Sequence, residues 1–116
     1  MSHDPNRPKS PDPVENLVSY YPKAGKEKEF LALLAKHWPA LDKLGLVTKT
    51  PAKIWKAHDI RTGTDFFVEL FTWKDGGGSD IAHQSPEVMA IWEPMTPILD
   101  RMQIAEVEPL SLSGKA

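Results

Sequence analysis

Asp65-Phe66-Phe67-Val68-Glu69-Leu70-Phe71-Thr72-Trp73-Lys74 is the stretch on which the reading of this chain turns. Side chains of a strand alternate between two faces, so the run separates into two rows. One holds Phe66, Val68, Leu70 and Thr72, the other Phe67, Glu69, Phe71 and Trp73. Both are largely apolar, which marks a central strand covered on both sides. Phe67, Phe71 and Trp73 therefore fall on one of two sheet faces that need cover.

Towards the N-terminus, Asp59 to Thr64 reads as a hairpin connection from a strand spanning Leu46 to Asp59. Pro51 interrupts that strand and confines it to the sheet margin. Before it, Phe30, Leu33, Leu34, His37, Trp38 and Leu41 share one helical face. The helix is predicted from about Gly25 to Leu44, with a break near Trp38 caused by Pro39 and a stop at Gly45. Val14 to Tyr21, bounded by Pro13 and Pro22, is the first strand.

Towards the C-terminus, Asp75-Gly76-Gly77-Gly78 reads as a flexible corner, and Ser85-Pro86-Glu87 has the chemistry of a helix start. Val88, Ile91, Trp92, Met95 and Leu99 then share a face, with Pro94 and Pro97 predicted to break the last turns. Met102 to Glu108 is a final short strand.

The order is βαββαβ: an α+β, ferredoxin-like fold with a four-stranded antiparallel sheet. Right-handed crossovers put its two helices on one face. The other face is left open, and an apolar face of that size is expected to be covered by a second copy of the chain. A homodimer interface of roughly 2,000 Å² or more is anticipated. The domain is expected over residues 14–108, behind a proline-rich arm at 1–13 and ahead of a tail at 109–116.

Fourteen Lys and Arg against 16 Asp and Glu leave a net charge of -2 in 116 residues, which offers no electrostatic footprint for nucleic acid or an anionic membrane. No stretch is apolar for long enough to span a bilayer. The absence of cysteine removes disulfides, thiolate nucleophiles and cysteine zinc sites, and suits a cytoplasmic protein.

The stretch YYPKAGKEKEFLALL resembles the strand, Gly-Lys turn and helix that open the dimeric α/β-barrel proteins. FFVELFTWKDGGGSDIAHQSPEVMAIW is similar to their third strand and second helix, with Trp73, His83 and a Ser85-Pro86 helix start. That superfamily includes antibiotic-biosynthesis monooxygenases, haem-degrading enzymes and chlorite-dismutase relatives. The resemblance implies a homodimer and places His83 at the mouth of the barrel. Many monooxygenase-like members carry a strand glutamate two residues before the tryptophan; here that position is Phe71, and the acid is Glu69 on the same face. Haem-degrading members carry a ligand histidine inside the second helix, where this chain has Ile91-Trp92-Glu93-Pro94. No cofactor is expected.

Glu69 leads the candidates for chemistry. A carboxylate flanked by Phe67, Phe71 and Trp73 is desolvated, and desolvation moves carboxyl groups towards the range useful for general acid or base work. Its alternative role is structural, as a buried acid satisfied by His58 or by a lysine across an interface. His83 can accept a substrate proton or bind a ligand oxygen, or else cap the loop backbone. His37, on the apolar side of the first helix, reads as a satisfied core histidine. His58 is either a turn residue or the partner of Glu69.

His58, Glu69 and His83 could form a two-histidine, one-carboxylate metal set if the fold converged them, but they share no local ligand motif and no metal is expected. Tyr20 is a candidate polar contact to a ligand, and Trp55, Trp73 and Trp92 are candidate pocket walls. The triple glycine is not a phosphate loop, since no Gly-Lys-Ser/Thr follows. The expected function is binding of a small, largely apolar or aromatic molecule, with cofactor-independent oxygenation or proton transfer assisted by Glu69 and His83. The alternatives are a non-catalytic ligand-binding or assembly module, and a haem-handling enzyme.

Overall fold

The computed structural model describes residues 10–112. Residues 1–9 of the expected arm and 113–116 of the expected tail lie outside that range. The elements are β1 (Val14–Pro22), α1 (Glu27–Lys43), β2 (Lys53–His58), β3 (Asp65–Trp73), α2 (Gly78–His83), α3 (Pro86–Met95), a 3₁₀ turn (Thr96–Ile98) and β4 (Leu99–Val107). The four strands form one sheet in the order β2-β3-β1-β4, and every neighbouring pair is antiparallel. This is the ferredoxin-like βαββαβ arrangement.

The pattern of β3 decides which face the helices cover. Phe67, Glu69, Phe71 and Trp73 are all buried beneath the helices, together with Val18 and Tyr20 of β1. Phe30, Leu34, His37, Ala40 and Leu41 of α1 and Val88, Ile91 and Met95 of α3 close over them. Fully burying one such aliphatic or aromatic side chain contributes about 1.5–3 kcal/mol, so this layer dominates the favourable side of folding. The other row, Phe66, Val68, Leu70 and Thr72, is only half-buried and faces away from the helices with Leu17 and Tyr21. Trp55 of β2 stands on that same open face, opposite Val68, and is 48% exposed.

Several local expectations change. No break occurs near Trp38: α1 runs on through Pro39, which costs the helix one N–H donor but leaves its packed face intact. It ends in a Schellman turn, with Leu46 N–H donating to the Leu41 carbonyl, Gly45 N–H to that of Asp42, and Gly45 at φ +71°. The second strand is shorter than anticipated. Pro51 separates β2 from Leu46 to Thr48, which instead pair with the end of β3 through Val47 and Trp73. α3 likewise continues through Pro94 and tightens into the 3₁₀ turn only at Thr96.

The glycine corner is not wholly irregular, because Gly78–His83 forms the additional helix α2. Gly78 permits this by close approach: a Cβ there would lie 2.5 Å from Cε3 of Trp73. Gly76 N–H donates to the Ser10 carbonyl, tying residue 10 to this corner. No helix among the described residues is long and apolar enough to cross a membrane.

Candidate functional site

Glu69 lies at the centre of β3 with no exposure at all. Its carboxylate is met from two directions. Tyr20, on β1 beside Phe67, donates its hydroxyl to Oε1 at 2.7 Å. His37 reaches down from α1 and places Nδ1 2.9 Å from Oε2 and 3.0 Å from Oε1. A carboxylate offers no hydrogen, so the ring carries its proton on Nδ1 and donates it. Burial, the Glu69 charge and the hydrogen bond to it push the Tyr20 phenol far above its ordinary value, keeping it a donor.

The consequence falls on the other ring nitrogen. With Nδ1 committed, Nε2 of a neutral His37 carries the lone pair, and this atom is buried without a hydrogen-bond partner among the described residues. Buried polar atoms seldom remain unpaired, so an orphan of this kind asks for a ligand. His37 borders a cavity of about 280 Å³, open on one side, that is lined by residues of the sheet, α1, α2 and α3. Val18, Phe71, Trp73, Met89, Met95 and Ile104 supply much of its wall, with Asn16 and Tyr20 as further polar groups. The His37 ring is held edge-on to Phe71, centroids 5.5 Å apart, and 5.9 Å from the Trp92 ring. A basic nitrogen, a carboxylate fixing its tautomer and an apolar space beside the ring together can take a proton from a bound molecule.

The candidates named from sequence divide into two groups. Glu69, Tyr20, His83, Trp73 and Trp92 gather around the cavity, although Glu69 sits behind His37 rather than in the wall. His83 stands at the mouth, donating from Nδ1 to the Ser79 carbonyl at 2.8 Å and packing edge-on against Trp92. Trp55 and His58 are not brought there. Trp55 is on the opposite face of the sheet, and His58 pairs with Asp65 at the exposed end of β2, so it is not the partner of Glu69. The metal set weighed from sequence is thereby dispersed, and no group of three His, Asp or Glu among the described residues is placed to hold a metal.

His37 and Asn16 are among the cavity residues that went unrecognised in the sequence. His37 reads as core, and it is buried, but it faces the one acid in the opposing sheet row. Asn16 shares the helix-facing side of β1 with Val18 and Tyr20, and a polar residue in an otherwise apolar row is the signal that marks it.

No family model matches the chain, and no curated protein matches it. Solved structures do. The Arabidopsis thaliana protein At3g17210 superposes with a TM-score of 0.68 at 13% identity, over 86% of this chain and 98% of that one. SnoaB, a cofactor-independent oxygenase from Streptomyces nogalater, gives 0.66 at 10% identity over 88% and 98%. An antibiotic biosynthesis monooxygenase gives 0.65 at 11% identity over 84% and 99%. Agreement over nearly the whole of each neighbour at such low identity is a likeness of fold: this chain has a ferredoxin-like α+β fold similar to that of solved antibiotic biosynthesis monooxygenases.

Proposed function

We propose that the cavity binds a small, largely apolar molecule and that Nε2 of His37 removes a proton from it. The observation that carries this reading is the buried Nε2 of His37, unpartnered among the described residues, on a ring that borders an apolar cavity and is backed by a carboxylate. Glu69 acts as a positioning residue: it holds the ring in one tautomer and steadies the imidazolium that forms once the proton has moved. Tyr20 holds Glu69 in turn.

The reaction class we favour is cofactor-independent monooxygenation. An enzyme of this class draws its electrons from the substrate itself, and deprotonation is what makes them available to dioxygen. The likeness in fold to a cofactor-independent oxygenase and to an antibiotic biosynthesis monooxygenase supports that choice over other proton transfers. We further propose that the open sheet face packs on a second copy of the chain, burying Leu17, Phe66, Val68, Leu70 and Trp55.

Oxygen uptake is the test. Purified protein is offered phenolic and quinol compounds under air, and consumption that depends on His37 supports the oxygenase. Binding of these compounds without oxygen uptake or proton exchange would reduce the site to a binding module.

A further inference from the structure

The rim of the cavity is built from three elements that are not held equally firmly. Lining residues that are also exposed mark it: His83 of α2, Glu93 and the C-cap Thr96 of α3, and Met102 and Ile104 of β4. β4 is bonded to β1 along most of its length, and α3 is fixed by its buried side chains Val88, Ile91 and Met95. α2 has six residues, too few for a helix that is stable on its own, so its position depends on what it touches. Ser79 and His83 turn towards the cavity and Ala82 is fully buried beside them, whereas Ile81 on the outer side is 57% exposed.

Gly76 and Gly77 precede α2 and let the backbone rotate there. At the other end only Gln84 separates it from Ser85, whose hydroxyl caps α3 by accepting the Val88 N–H. Each end also has a hold. The His83 ring packs edge-on against Trp92, centroids 4.8 Å apart. The Gly76 N–H donates to the Ser10 carbonyl at 2.7 Å, which ties the corner to the segment ahead of β1. Ser10 is itself set in place by a turn, its Oγ accepting the Asp12 N–H at 3.1 Å.

We propose that α2 is a lid on the cavity mouth and that the hydrogen bond from Gly76 to Ser10 is the latch that keeps it shut. Neither latch residue lines the cavity, yet the pair sets how fast a molecule enters and leaves. Control of entry rests on the ligand site proposed above; the lid and its latch do not.

The chain has no cysteine, so one introduced thiol reports lid opening in the full-length protein. Ser79→Cys puts it on the inner side of α2 and Ile81→Cys, the control, on the outer side, and both are labelled with an aromatic disulfide reagent. Ser79→Cys should react about tenfold more slowly than Ile81→Cys, because it waits for local opening. Adding Gly76→Pro, which removes the donor of the latch, should speed labelling of Ser79→Cys by about threefold to tenfold, the range one hydrogen bond supports, and leave Ile81→Cys unchanged. Ser10→Ala, which loosens the turn without placing a proline in the corner, should act in the same direction by less. Naphthol binding, followed by stopped-flow tryptophan fluorescence, should show association and dissociation rates rising together in Gly76→Pro, with affinity close to that of the wild type.

Labelling of Ser79→Cys as fast as Ile81→Cys would overturn the lid. A labelling rate indifferent to both Gly76→Pro and Ser10→Ala would overturn the latch. Naphthol rates unmoved by either substitution, or an affinity that falls with no gain in association rate, would overturn control of entry. If naphthol fails to bind the wild type, the ligand site itself is lost, and the labelling rates still decide the lid.

Discussion

His37 shares the hydrogen on Nδ1 between both carboxylate oxygens of Glu69, at 3.0 Å and 2.9 Å, in a place where neither side chain meets solvent. Removing one member of a buried pair leaves the other uncompensated. Glu69→Ala should therefore cost about 3–5 kcal/mol in urea denaturation. Glu69→Gln keeps the shape and an acceptor for Tyr20, so it should fold with a smaller loss and still bind ligand. Turnover should fall by two orders of magnitude or more, on the scale of lost general-base assistance. Undiminished turnover in Glu69→Gln would remove the acid from the mechanism.

Tyr20 sets a limit on the alkaline side. Its phenol is pushed far above the ordinary value of 10.0, first by burial and then by Glu69. A raised folded-state value means that its contribution to stability is complete below pH 10 and is lost as pH rises beyond it, because the unfolded chain ionises first. In the folded state, wild type and Tyr20→Phe should show the same phenolate absorbance as pH is raised. An extra phenolate in folded wild type near the ordinary tyrosine range would contradict the assignment.

Gly78 should not tolerate even a methyl group. A Cβ would meet Trp73, whose ring is itself buried and packed edge-on to Phe71, centroids 5.1 Å apart. Gly78→Ala is expected to destabilise the protein by about 1–3 kcal/mol through overpacking. Because Trp73, Ser79 and His83 border the cavity, ligand affinity should fall as well. Near-ultraviolet circular dichroism, which reports the tryptophan surroundings, should change together with the denaturation midpoint.

Val68 occupies the middle of the open face, opposite Ser19 on one side and Trp55 on the other. If a second copy covers this face, Val68→Asp should turn a dimer into a monomer in sedimentation equilibrium while leaving the helix-covered side folded. A wild-type chain that sediments as a monomer at micromolar concentration would dispose of the proposed dimer.

Fold and site were legible to different degrees, for physical reasons. The βαββαβ order follows from local signals: period-two alternation in β3, the helical stripe from Phe30 to Leu41, and the Ser85-Pro86 start of α3. The three prolines at 39, 51 and 94 were harder to read. A proline removes one donor, but whether the element survives depends on packing of its other residues, which sequence spacing does not display. Glu69 stood out because an acid in an aromatic row has few innocuous explanations. Its partner did not, since a histidine on an apolar helix face looks the same whether its second nitrogen is satisfied or waiting. Trp55 was misplaced because an exposed tryptophan on an edge strand and a pocket tryptophan share one composition signal, and only the register with Val68 separates them.

The Tyr20, His37 and Glu69 cluster also bears on how the chain finds its fold. Its members come from β1, α1 and β3, separated by 32 and 49 positions in the two hydrogen-bonded pairs. No local fragment can assemble it. A slip of β3 by one residue against β1 would turn Glu69 out to the open face and bring Val68 or Leu70 beneath His37. Such misaligned sheets would strand the imidazole among apolar groups with nothing to receive its N–H. The pair on which chemistry is proposed to depend is thus also a proofreading device, raising the free energy of neighbouring alignments that hydrophobic burial alone would barely distinguish.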